Sequence, residues 1–588
     1  MMKLAMPASC AIMVVMLGAC SSDHPTAPGP GCGPAASAAV RGGVSALEAN
    51  TSLQPLEAIT VNADGLPNCL ALDADSGTYI LVPQYATGNG GRSSVSYTLG
   101  VSSPATPAAR ASFAVREGAP EHPVPVQARL DLTLRGLEHR LAAVAPAQVA
   151  EWRRSADVRK DVSASVPAVG STRTFQVLAD LTGSSFTTDT ATLRYVGTNV
   201  LIYMSKEAPP APNGFTDTQL ASFGQLFDHD LYGIDVRTFG APSDIDGNGH
   251  VIVLMTPKVN ELTQASTCKS EGYVSGFFYG LDLTPQAAHS NQGEIFYSMV
   301  PDPDSVFSCA HDVAAVEFST PATFIHEFQH MISWNQHVIV RGGPDEETWL
   351  NEGLSHIAEE MGSRYYEHKY PAPLQRSDPT SLFPDSAQGF ISGDVFNAYA
   401  FMQDPSRWSI TEFLSAGRVE ERGGAWLFLR WLGDQKDSTI YGRLVQTSQT
   451  GVQNVETQSG ESLPHLYGDF TLALYTDSLV GVDRSRVPSR YRFLSRNWRQ
   501  IFQSLYDHSA AHRDLVPTPW PLPLTAVNDP GSQASSMLPG TAEYYVVHLP
   551  SPATPAAVQF APQAGGAFPA TLGAQVTVFR CPSVAACQ

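Results

Sequence analysis

The stretch Thr323-Phe324-Ile325-His326-Glu327-Phe328-Gln329-His330-Met331, followed by Thr348-Trp349-Leu350-Asn351-Glu352-Gly353, decides how this chain is read. Phe324, Phe328 and Met331 recur at helical spacing, so the first stretch predicts a helix with one buried apolar face. Thr320 is placed to cap it and Pro321 to occupy its first turn. Two histidines four apart on a helix point the same way, so His326 and His330 can converge on one metal ion while Glu327 projects beside it. Structural zinc sites take four protein ligands, whereas hydrolytic ones take three and keep a position open; two His and one Glu form such a set. Glu352 can supply the third donor.

A second helix is predicted over about 345–364, with Leu350, Leu354, Ile357 and Met361 as its apolar stripe and Glu352, His356 and Glu359 on another face. The bland reading of each motif alone is a buried or solvated helix face without metal. Together, with the Asn-Glu-Gly step between apolar residues, they predict a zinc-dependent peptidase in which Glu327 is the general base.

Upstream, 191–195 and 200–203 alternate as strands and 217–227 reads as a helix, so the catalytic region is expected over 171–515. Asp244-Ile245-Asp246-Gly247-Asn248-Gly249 precedes the apolar run 251–255. Asp244, Asp246 and Asn248 stand at the first, third and fifth positions of a calcium loop, but Met255 takes the twelfth, where an EF-hand needs Glu. The turn is therefore read either as a calcium site or as a hydrogen-bonded Asx turn. Glu294 falls on a predicted strand. An aminopeptidase would want an acidic residue on its substrate strand, but the surrounding sequence lacks Gly-x-Met-Glu-Asn, and an endopeptidase is preferred.

The strings TFIHEFQHMISWNQ (323–336) and ETWLNEGLSHIAEEM (347–361), with FGAPSDIDGNGHVIVLMTPKVN (239–260) and NQGEIFYSMVPDP (291–303), resemble the hyicolysin family of metallopeptidases within the gluzincin group. That resemblance implies zinc on His326, His330 and Glu352, and a two-lobed fold with a mixed sheet, the metal helix at the cleft floor and a helical second lobe. It also implies an edge strand that pairs with extended polypeptide substrates, and a Tyr or His donor to the oxyanion. In ERGGAWLFLRWL (421–432), Glu421 and Arg422 stand where related enzymes tend to carry Tyr, leaving Arg422 and Tyr399 as candidates. His356 occupies the place of a carboxylate that orients a zinc histidine in thermolysin-like enzymes, and Glu359 is the candidate substitute.

The ends set the compartment. Lys3 and the apolar 4–16 read as a signal segment too short to span a membrane, and Leu17-Gly18-Ala19-Cys20 resembles a lipobox, making Cys20 the lipidated residue of a surface or outer-membrane lipoprotein. The membrane is then met only through that anchor. Cys32 with Cys69, Cys268 with Cys309, and Cys581 with Cys587 are the expected disulfides. A net charge of −20 argues against nonspecific nucleic-acid binding, which needs Lys and Arg on phosphates. Oligomeric state is not readable.

The fold class expected is multidomain α+β: a two-lobed metallopeptidase region flanked by small all-β units. After the signal (1–20) come a flexible tether (21–39), a β-sandwich (40–125), a helical connector (126–170), the peptidase region (171–515) and a C-terminal β unit (520–588). Within the connector Leu130, Leu134, Leu137 and Leu141 form a helical stripe, and Arg153, Arg154, Arg159 and Lys160 read as a solvated link or a processing site. The competing function is a surface lipoprotein whose β units bind partners while its peptidase fold is inactive.

Overall fold

The computed structural model describes residues 39–40, 53–63, 69–72, 77–88, 91, 93–102, 112–113, 123–157, 166–369, 385–477, 479–508, 516–527, 531–549 and 556–587. The signal segment, Cys20, nearly all of the tether and the Cys32–Cys69 pairing lie outside them. The described architecture is multidomain α+β with mixed sheets and a helical region.

Strands from the two chain ends build common sheets. One six-stranded sheet runs Ala39–Val40, Ala58–Asn62, Ala574–Arg580, Gly77–Tyr85, Tyr545–Leu549, Thr525–Val527, and a five-stranded sheet interleaves Val95–Ser102 with Ala556–Pro562 and Gly531–Met537. Tyr79, Leu81 and Tyr85 from the first sheet share a core with Tyr97, Leu99 and Phe560 from the second. The separate β units expected at 40–125 and 520–588 are thus corrected to one sandwich. Strands of the two ends alternate within each sheet, so neither end forms its sheet or covers the shared apolar face by itself. The run Tyr79 to Val82 is apolar without alternation because Ile80 and Val82 face the helical region while their neighbours face the sandwich core.

The segment expected as a connector holds α1 (Val126–Ala142) and α2 (Ala145–Asp157). A mixed sheet follows: β1 (Thr172–Leu178), β2 (Phe186–Val196), β3 (Val200–Ser205), β4 (Val251–Met255), β5 (Gly276–Phe278) and β6 (Ile295–Ser298). Its order is β5-β6-β4-β3-β2-β1, with β6, β4 and β3 parallel and β5 antiparallel at one edge. The helix predicted over 217–227 forms as Asp217–Leu226, started by a capping box between Thr216 and Gln219.

The metal-motif helix α3 (Val313–Trp334) starts a full two turns before the expected cap. Asp312 caps it by accepting from the Ala315 amide. Thr320 is a helix-interior residue whose hydroxyl donates to the Val316 carbonyl, and Pro321 also sits inside. Against α3 pack α4 (Thr348–Lys369) and α5 (Asp385–Gln403), and α6 (Val419–Gln435) packs in turn on α4 and α5. Glycines set how closely they meet: a Cβ at Gly423 would lie 2.1 Å from the Asn397 carbonyl oxygen of α5, and one at Gly353 would lie 2.7 Å from Leu429 of α6. Such contacts need bare backbone, so the Gly pair in 421–432 and the Gly after Glu352 are packing requirements.

Candidate active site

His326 and His330 project from α3 toward Glu352 on α4, and the Nε2 atoms of the two imidazoles are 3.1 Å apart. Glu352 lies 3.7 Å from His326 Nε2 through one oxygen and 3.6 Å from His330 Nε2 through the other. The three side chains are buried and present donor atoms within 4.8 Å of one another. Each imidazole has its Nδ1 engaged elsewhere: His326 with Glu359 Oε1 at 2.7 Å, and His330 with Asn351 Oδ1 at 2.8 Å. Both acceptors fix the tautomer so that each Nε2 offers a lone pair to the other, an arrangement that calls for a shared proton or a cation. Glu352 Oε1 is buried without a hydrogen-bond partner. Two nitrogens each bound to one tetrahedral zinc would stand about 3.4 Å apart, so the donor set fits that ion.

Glu327, next to His326 in sequence, accepts from the Phe278 amide of β5 at 2.7 Å through Oε2. Burial raises its pKa to about 8, with His326 acting against the rise. For Glu352, burial works in the opposite direction to the guanidinium of Arg422, which together with His330 holds it well below the usual carboxylate range. Glu327 borders a pocket of about 270 Å³ whose wall also includes Gln127, Thr323, His326, His356, Glu359 and Arg422.

The remaining sequence candidates separate. Glu359, the candidate orienting carboxylate, stands against His326. It also contacts His356 Nδ1 at 2.9 Å, and His356 in turn reaches Asp394 at 2.9 Å. Arg422 is at the site but engaged: it donates to Glu352 at 2.6 Å, to Asp131 at 2.7 Å and to the Gly417 carbonyl at 2.9 Å. Tyr399 is removed as an oxyanion donor, because its hydroxyl bonds the Thr518 carbonyl and hydroxyl and does not border the pocket. Glu421 collects the amides of Ser415, Gly417 and Arg418 at the start of α6.

Glu294 is also corrected. It precedes β6, an inner strand, and accepts from the Ile245 amide, while the sheet edge beside Glu327 is β5. Asp244 and Asp246 gather with Glu294. Asn248 does not join them as an oxygen donor, since its amide nitrogen faces Asp246 and its oxygen accepts from the His250 amide.

Sequence reasoning missed the contribution of α1. Gln127, Asp131, Arg135 and Glu138 lie on one face and enter the site region; Asp131, Arg135 and Glu138 are buried as deeply as Leu130 and Leu134. The signal was present as polar residues of both charges at helical spacing, overshadowed by the leucine stripe beside them. Elsewhere, Cys268–Cys309 and Cys581–Cys587 are bonded as expected. No helix among the described residues is long and apolar enough to cross a membrane.

The donor set is one that could hold a metal ion, and the chain is similar in part to a known metalloprotease. Over 173 residues the chain is 30% identical to the neutral metalloprotease ShpI of Staphylococcus hyicus, a match covering 29% of this chain and 36% of that protein. The chain thus spans little more than a third of that relative's length. No protein-family model matches the sequence.

Proposed function

We propose that this chain is a lipid-anchored, zinc-dependent endopeptidase of the gluzincin group, related to the hyicolysin family, that cuts polypeptides outside the cytoplasm. The observation that carries the reading is the convergence of His326 Nε2, His330 Nε2 and the orphaned Glu352 oxygen beside Glu327, at the edge of a mixed sheet. Zinc held there would supply a Lewis acid that polarises a scissile carbonyl and acidifies a water. Glu327 takes the proton on the carboxylate oxygen not held by Phe278 N and returns it to the leaving amine. Arg422 donates to Glu352 and keeps it ionised and fixed. Extended substrate would join β5 by main-chain hydrogen bonds. The placement of Glu294 away from that edge supports an endopeptidase over an aminopeptidase, and Cys20 supplies the anchor.

The test is zinc stoichiometry measured alongside chelator-sensitive cleavage of an unfolded protein. Wild type is expected to hold one zinc in this site and to cleave; Glu327→Gln keeps the zinc and loses cleavage. A Glu327→Gln protein that cleaves at the wild-type rate overturns the mechanism. Stoichiometric zinc with no hydrolysis in any form of the chain would favour the surface-binding lipoprotein instead.

A further inference from the structure

We propose that Asp244, Asp246 and Glu294 form a second metal site, for calcium, which rivets the starts of two parallel strands together and anchors α2 to them. Glu294 carries the argument. It is 1% exposed, and its Oε2 makes no hydrogen bond, although the nearby Ser243 hydroxyl eases its charge in part. Its other oxygen accepts from Ile245 N at 2.8 Å, inside the Asp244–Asp246 turn, so the carboxylate is aimed into that turn. Donor oxygens of the three acids fall within 4.8 Å of one another. Three converging carboxylates, one of them buried and unpaired, are costly without a cation. Burial, with Asp246 and Asp244 adding to it, pushes Glu294 up to about 7, and burial with Asp244 pushes Asp246 up to about 6 against the Asn248 amide and Arg173.

Hard oxygen donors, a partly open turn and glycines at positive φ (Gly247 +72°, Gly249 +73°) favour calcium, which tolerates irregular geometry, over zinc. The missing EF-hand ligand at Met255 is replaced from another part of the chain, by Glu294. Its placement gives the ion a structural task. The Glu294 carbonyl accepts from Ile252 N at 2.7 Å, linking the starts of β4 and β6, and Trp152 of α2 donates to the Ile245 carbonyl at 3.1 Å.

Trp152 also provides the readout. Terbium, a calcium surrogate, should show luminescence sensitised by that indole when added to the zinc-loaded full chain. Saturable emission displaced by calcium in the range of about 10⁻⁴ to 10⁻³ M is expected. Glu294→Gln should weaken it at least tenfold, and Glu352→Gln should leave it unchanged. Absence of saturable emission together with no calcium-induced rise in Tm overturns the site. So does a Glu294→Gln protein that binds as wild type.

A separate observation concerns the sheet edge, and it rests on the peptidase reading. Side chains of α1 occupy the outward main-chain groups of and around β5: Gln127 pairs with Ser275 N and the Gly276 carbonyl at 3.0 Å each, Arg135 donates to the Phe278 carbonyl at 3.0 Å, and Glu138 accepts from Gly280 N at 2.7 Å. These are groups an extended substrate would use. We infer that α1 is an intramolecular occupant of the substrate edge, and that the enzyme is latent until α1 moves off. Leu130→Ala with Leu134→Ala loosens α1 without altering a polar group of the site. In the full chain this pair should speed amide exchange at Ser275 and Gly280 and raise hydrolysis of an unfolded protein at least threefold. Faster exchange with lower hydrolysis and retained zinc would overturn latency, showing that α1 builds the site. If no form cleaves, the peptidase reading fails, and exchange alone judges the occupancy: amides that open no faster in a folded variant overturn it.

Discussion

Glu359 and Glu360 are sequence neighbours on α4, the second fully buried and the first partly so, and they face different chemistry. Glu360 accepts from Arg364 at 3.1 Å and Arg496 at 3.2 Å and lies 3.5 Å from Arg430, so its charge is met from three sides. Burial alone would raise its pKa, but the guanidiniums, Arg430 foremost, bring it to about 2. Glu359 meets two imidazoles, and beyond them lie the mutually facing nitrogens of His326 and His330 and the orphaned Glu352 oxygen. Glu360 Oε2 also lacks a hydrogen bond, but it faces the Arg430 guanidinium, whereas Glu352 Oε1 faces the His330 imidazole; one region is closed by charge, and the other is left incomplete by the protein's own atoms. An incomplete buried cluster persists only where a bound group or a reaction gives it a use.

The widest separation should come from Glu327→Gln, which keeps shape but removes the carboxylate proposed as the base. A drop of ~10²–10⁴ in cleavage rate with unchanged zinc content is expected, since that is what a general base contributes. Cleavage and metal analysis on the same preparation would show it. The closed region should answer in stability instead. Glu360→Ala strands buried guanidinium charge and should cost about 3–5 kcal/mol, read as a lower urea midpoint, with little change in zinc affinity at temperatures where the protein is folded. A variant that instead loses zinc while keeping its midpoint would dissolve the contrast between the two neighbours.

The incomplete region was the more legible one. That His326, His330 and Glu352 come together, with Glu327 beside them, could be read because a metal-binding pattern restricts residue types and the helix fixes their spacing; Glu359 followed from the same periodicity. What escaped depends on contacts distant in sequence. Asp131 reaches Arg422 across 291 positions, and Glu294 meets Ile245 across 49, so no local pattern links them. Tyr399 was misjudged for the same reason, because Thr518 claims its hydroxyl. The two halves of the β-sandwich were each visible as strands. Their joining was not, because strand pattern shows which face is apolar but not which strand covers it.

The partners of the two histidines allow a finer comparison within the open region. Glu359→Ala removes a charged acceptor from His326 Nδ1 and should weaken zinc binding ~10–100-fold, as loss of such an orienting partner does. The smaller effect is expected at Asn351→Ala. Asn351 is a neutral acceptor, and hydrogen bonds to ionised groups are roughly twice as strong as those between neutral ones. The Ser355 hydroxyl also stands 3.0 Å from His330 Nδ1, so that ring keeps a second polar contact when the amide is gone. A loss of about tenfold or less is therefore expected in a chelator competition titration. If Asn351→Ala proved the more damaging of the two, the orientation of His330, set from the first turn of α4, would govern metal affinity more than the carboxylate behind His326.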